Sequence, residues 1–111
     1  ESGAAALVSV CQAGDQHPDF MFKVSEKGRL TTWSDQRFKP MRRQDLSKAY
    51  YLDGSIYISE IDTFLQEKTF CHENTISYEV PKWKAFEVDD IWDFICIEAI
   101  IKYRQKHIET G

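Results

Sequence analysis

Two short tracts carry side chains suited to chemistry on an acid or a phosphate. Arg42-Arg43-Gln44-Asp45 sets two guanidinium groups side by side. Each offers paired donors that match a carboxylate or a phosphate, and Gln44 adds a neutral donor and acceptor. Out of context, the same tract also reads as a solvated turn with local ion pairs. Glu87-Val88-Asp89 places two carboxylates one residue apart, at the end of a brief extended segment, where they point to the same side. Hard oxygens of that kind, with several waters retained, hold Mg²⁺ beside phosphates. Asp89, Asp90 and Asp93 equally well cap a following helix. Both roles coexist if Asp90 or Asp93 caps while Glu87 and Asp89 face a metal. Cys71-His72-Glu73 has three possible ligands in a row, but adjacent residues point different ways and no matching cluster lies elsewhere, so no metal is expected there. His17 and His107 read as surface residues. The sequence contains no Ser/His/Asp grouping and no Gly-rich phosphate loop.

The elements that must position these groups follow from patterning. Residues 7–11 are β-branched and alternating, which predicts a strand ended by the turn formers of 14–18. Residues 20–24 and 29–33 flank Glu26-Lys27-Gly28 and predict a hairpin, exposed and arm-like. A polar loop follows at 34–40, and Arg37, Lys39, Arg42, Arg43 and Lys48 make the densest basic stretch. Asp53-Gly54 reads as a turn before an apolar strand at 55–58. Ser59 with Asp62 fits a capping box opening a short helix through Glu67. Residues 75–80 alternate as a strand stopped by Pro81. Asp89 or Asp90 then starts a long helix that is apolar nearly all round from 91 to 101, which needs cover on more than one face. Strands and helices alternate through the second half, as in part of an α/β sheet.

Composition bounds what this scaffold does. A net charge of −4 argues against a nucleic-acid binder, which needs a basic surface. The stretch from Arg37 to Lys48 also lacks the interleaved aromatics of a single-strand groove. The 42% hydrophobic content fits one soluble domain with a modest core, in which Trp33, Trp83 and Trp92 are expected to take part. Cys11, Cys71 and Cys96 form no Cys-x-x-Cys pair, so reduced thiols and a cytoplasmic setting are expected. No apolar run is long enough to span a bilayer, so no membrane partner is expected. Residues 1–6 lack a signal-peptide pattern and an initiator Met, and read as a chain entered partway through a fold.

Taken together, the segments resemble the acylneuraminate cytidylyltransferase family, which makes CMP-activated sialic acids and related nonulosonic acids. Arg42-Arg43-Gln44-Asp45-Leu46 and then Asp53-Gly54-Ser55-Ile56-Tyr57-Ile58 look like the family's Arg-Arg-Gln-Asp-Leu-Pro and Asn-Gly-Ala-Ile-Tyr. Leu7-Val8-Ser9-Val10, His17-Pro18 and Tyr78-Glu79-Val80-Pro81 add to the match in order and spacing. The resemblance implies the C-terminal part of a Rossmann-like α/β nucleotidyltransferase domain, with residues 1–111 as one incomplete domain. It implies a β-hairpin dimerisation arm at 20–33 and a homodimer. Arg42, Arg43 and Gln44 would then bind the sugar-acid carboxylate. Glu87 and Asp89 would be the catalytic, Mg²⁺-holding pair beside CTP. Ser47 departs from the family's Pro, and Glu87 from its first Asp. The family's N-terminal phosphate-cradling loop has no counterpart here, so the isolated chain is expected to be inactive. The competing reading is a stand-alone, non-enzymatic domain for dimerisation or small-acid binding.

Overall fold

The computed structural model describes residues 3–33, 42, 44 and 46–107. It divides into two compact units, one of residues 1–11 and 52–111, the other of residues 12–51.

The larger unit is built on a mixed sheet of order β4-β1-β5. β1 (Ala6–Gln12) lies in the middle, and most of its residues are buried. It pairs in parallel with β5 (Thr75–Glu79), Ala6 opposite Thr75 through Val10 opposite Glu79. β4 (Tyr50–Ser59) runs the other way, because Glu60 N donates to Ala5 O while Ile56 N donates to Ser9 Oγ at 2.8 Å. The strand expected at 55–58 is therefore longer than expected, and Asp53-Gly54 lies inside it instead of turning the chain before it. Gly54 does take the positive φ (82°) that such a dipeptide signals. Here that conformation interrupts the pleat without reversing the chain, as glycines inside strands do.

α1 (Ile61–Glu67) ends where expected, but Glu60, not Ser59, occupies its N-cap position. The Ser59 hydroxyl instead donates to Glu60 O at 2.9 Å, so the capping box does not form. At the other end Lys68 adopts the left-handed conformation and its N–H closes on Phe64 O at 2.8 Å. Phe70 then packs against Phe64 and Tyr57, with ring centroids 4.7 and 5.3 Å apart.

α2 (Ile91–His107) begins on a reciprocal cap. Asp90 Oδ1 accepts from Asp93 N at 2.9 Å, and Asp93 Oδ2 accepts from Asp89 N and Asp90 N. The carboxylate cluster thus satisfies backbone donors that a helix start leaves open, and its charge favours the N-terminal end of the dipole. As the sequence predicts, apolar residues encircle the helix, and Ile91, Trp92, Phe94 and Ile95 are all exposed. The buried set of the unit is small and aliphatic: Ala5, Ala6, Val8, Val10, Cys11, Val80 and Ala85. Trp33, Trp83 and Trp92 do not join it, contrary to expectation. A helix apolar on every side cannot bury all its faces on one three-stranded sheet.

The smaller unit holds the expected hairpin, β2 (Phe22–Val24) antiparallel to β3 (Leu30–Thr32). Gly28 N donates to Ser25 O and Ser25 N to Arg29 O, both at 2.9 Å, which closes the turn. The hairpin is open on both faces, with Val24, Leu30 and Trp33 exposed. His17, expected at the surface, is buried. One ring nitrogen donates to Ser47 O at 2.7 Å while Nδ1 accepts from Asp19 N at 3.0 Å, so the ring ties two loops of this unit together.

Candidate functional site

Glu87 and Asp89 fall in the irregular segment between the 3-10 turn Lys82–Lys84 and α2. That segment is not a strand, so the alternation expected to aim both side chains one way does not act. Their directions come from packing and from the helix cap. Asp89 is exposed, and its backbone N–H is held by Asp93 Oδ2 at 3.0 Å. The capping duty falls to Asp90 and Asp93. The carboxylate of Asp89 is therefore not spent on the cap.

Glu87 is placed differently. Its carboxylate lies directly over Gly54 of β4, in the space a side chain there would fill. A methyl group on Gly54 would lie 2.6 Å from the Glu87 carboxyl carbon and 3.5 Å from its Cγ. The extra methylene of Glu87 is thus folded back against the strand, and the carboxylate reaches the seat that Gly54 leaves open. Glu87 and Asp89 are both exposed and offer hard oxygens, the donor type with which one or two carboxylates hold Mg²⁺ that keeps most of its water. Among the described residues no group of three or more possible metal ligands gathers there. Cys71, His72 and Glu73 do not gather into a ligand cluster among the described residues.

Beside this seat, β4 carries an acid that patterning did not single out. Asp53 is only 3% exposed. The Ser55 hydroxyl donates to its Oδ2, whereas Oδ1 is buried without a hydrogen-bond partner among the described residues. Burial pushes the carboxyl up, but hydrogen bonds from Ser55 and Ser9 outweigh it and hold the group below its ordinary value. The sequence signal was present in the Asp-x-Ser spacing, which puts both side chains on one face of a strand. It was obscured by reading Asp53-Gly54 as a turn.

Of the basic tract, Arg42 and Gln44 are exposed residues of the smaller unit, and Arg43 and Asp45 lie outside the described residues. Arg37 and Lys39 lie outside them as well. A further pair of cations sits in the larger unit. The Arg104 guanidinium stacks 3.6 Å from the Trp83 ring centroid, and Lys84 Nζ lies 4.8 Å from the same ring. They border a groove of about 340 Å³ walled chiefly by Phe86, Ile97, Ile100 and Ile101. Both cations pack on the indole face, and apart from Gln105 the rest of the lining is apolar.

Among the described residues no helix is long and apolar enough to cross a membrane. No protein-family model matches the chain. Individual relatives do. N-acylneuraminate cytidylyltransferases of Streptococcus agalactiae serotypes III and Ia are each 37% identical over 81 residues, which is 73% of this chain. The serotype V protein is 36% identical over the same length. A post-translational flagellin modification protein B of Campylobacter coli is 33% identical over 78 residues, 70% of this chain. The matched stretch spans 19% of the streptococcal proteins and 29% of the Campylobacter one. The resemblance read from the Arg-Arg-Gln-Asp-Leu and Asp-Gly-Ser-Ile-Tyr motifs is therefore borne out as sequence similarity to the acylneuraminate cytidylyltransferases.

Proposed function

We propose, from this shared sequence, that the chain is the C-terminal part of the catalytic domain of a CTP-dependent cytidylyltransferase that converts a nonulosonic acid into its CMP-sugar. The observation that carries the reading is the 37% identity over 81 residues to N-acylneuraminate cytidylyltransferases. In this reading the domain is Rossmann-like and the enzyme works in the cytoplasm. Arg42, Arg43 and Gln44 bind the sugar-acid carboxylate through paired donors. Glu87 and Asp89 hold Mg²⁺, which when bound neutralises the triphosphate of CTP while the sugar hydroxyl displaces pyrophosphate. The residues of this chain orient and bind, and the exposed position of Asp89 leaves it free to reach a phosphate-bound ion.

The test is pyrophosphate release with CTP, Mg²⁺ and a panel of nonulosonic acids, run on the isolated 111-residue chain and on the complete protein that carries it. The complete protein is expected to turn over at least one acid and the isolated chain none. Failure of the complete protein on the whole panel would remove the assignment. Turnover by the isolated chain above a no-protein control would show that the phosphate loop is dispensable.

The same reading makes the protein a homodimer joined through the 20–33 hairpin and the apolar helix α2. The support is physical: Val24 and Leu30 on the hairpin and Trp92 and Phe94 on the helix are exposed at more than half their surface. Apolar area of that kind favours association. Sedimentation equilibrium at high micromolar concentration is expected to give a dimer mass, and a monomer there would reject the interface.

A further inference from the structure

We infer that Gly54 is a positioning residue for the metal-binding carboxylate of Glu87, and that residues 54 and 87 act as a matched pair of sizes. The inference rests on the reading of Glu87 and Asp89 as a metal pair. What the structure adds is a steric condition on that pair. The Glu87 carboxylate occupies the space over Gly54, and a methyl group there would come within 2.6 Å of its carboxyl carbon, far inside van der Waals contact. The Cγ of Glu87 would remain 3.5 Å away, an ordinary contact.

Those two distances fix which combinations of residues are compatible. In an aspartate at 87 the carboxyl carbon takes the place that Cγ holds in glutamate, 3.5 Å from an alanine methyl at 54, and rotation about the Cβ–Cγ bond turns its oxygens away from that methyl. A glutamate does not clear it and must swing its carboxylate off β4. Gly54 is therefore what allows the longer acid to stand at position 87 with its carboxylate against the strand. The positive φ of Gly54 (82°) adds a backbone penalty to alanine. That penalty is the same whichever acid stands at 87, so it cancels when the two are compared.

The experiment uses the 111-residue chain in four forms: wild type, Gly54→Ala, Glu87→Asp, and Gly54→Ala with Glu87→Asp. Mn²⁺ alone serves as the probe, and paramagnetic broadening of the amide signals of residues 87–90 reports its position and affinity. Urea unfolding without metal reports stability. The expected result is that Gly54→Ala weakens localised Mn²⁺ binding about tenfold, as loss of support around a ligand does. Glu87→Asp in the alanine background should restore most of it, although that chain keeps the backbone penalty. The stability cycle should show the alanine costing about fivefold more in the folding equilibrium beside glutamate than beside aspartate. Localised binding in the wild type that Gly54→Ala leaves unchanged, or that Glu87→Asp does not rescue, overturns the role of Gly54 and leaves the metal reading standing. No localised broadening in the wild type overturns the metal reading and the role of Gly54 with it.

Discussion

Asp89→Asn in the complete protein is expected to lower turnover about a hundredfold or more while barely changing the apparent Michaelis constant for the sugar acid. A carboxylate that holds the phosphate-bound ion contributes several kcal/mol to stabilising the transferring phosphate. About 3 kcal/mol corresponds to about a hundredfold in rate. The amide keeps the shape and loses the charge. Stability should hardly respond, because the side-chain cap of α2 is made by Asp90 and Asp93 and not by Asp89. Arg43→Ala should behave in the opposite way. A guanidinium clamped on a ground-state carboxylate contributes about 1.5–3 kcal/mol, which should appear as a rise of about ten- to a hundredfold in the Michaelis constant. Steady-state kinetics at saturating CTP separate the two. Near-normal turnover of Asp89→Asn at every Mg²⁺ concentration would take Asp89 out of the metal site.

Asp53→Ala is expected to destabilise the chain by about 2–3 kcal/mol at neutral pH. Removing the carboxylate deletes the hydrogen bonds it receives from Ser55 and Ser9, and a hydrogen bond to a charged group contributes about 1.5–3 kcal/mol. The Ser55 and Ser9 bonds hold the Asp53 carboxyl below its ordinary value despite burial. The folded chain therefore takes up this proton less readily than the unfolded chain. Its contribution is complete above the ordinary carboxylate value of about 4 and is lost as pH falls through the lower folded value. Urea unfolding of wild type and Asp53→Asn should accordingly show a gap at pH 7 that narrows steadily below about pH 4. A gap that stays constant with pH, or an alanine variant within 0.5 kcal/mol of wild type, roughly the reach of an ordinary surface substitution, would show that the buried charge contributes nothing.

Much of the scaffold was legible because its signals are local. The alternation at 7–11 and 75–80, the turn at Glu26-Lys27-Gly28 and the acids before Ile91 each act within a few residues, and the strands, hairpin and helix start all appear there. The misreadings have a common physical cause, which is that a distant residue decides the outcome. Gly54 has the backbone of a turn residue, yet the space it leaves is taken by Glu87, over thirty positions away in sequence. His17 is buried because Ser47 O receives its ring N–H, and nothing near position 17 announces that. The aromatic residues have the composition of a core, but their exposure depends on how many faces the sheet can cover. For the site, residue types were readable in both tracts. The seating of Glu87 and the buried acid at Asp53 required the sheet to be assembled.

The central place of β1 also sets an order on synthesis. Among the described strands it is translated before its two partners, β4 and β5, which end at Ser59 and Glu79. At about 5–20 residues per second, the last partner arrives several seconds after β1 has left the ribosome. Until β4 is complete this deeply buried strand lacks both of those partners, and until β5 emerges the edge that β5 takes stays open. Such a segment pairs readily with other nascent strands. In the cell, yield will therefore depend on translation speed between codons 12 and 79 and on chaperones that shield β1 until β5 emerges.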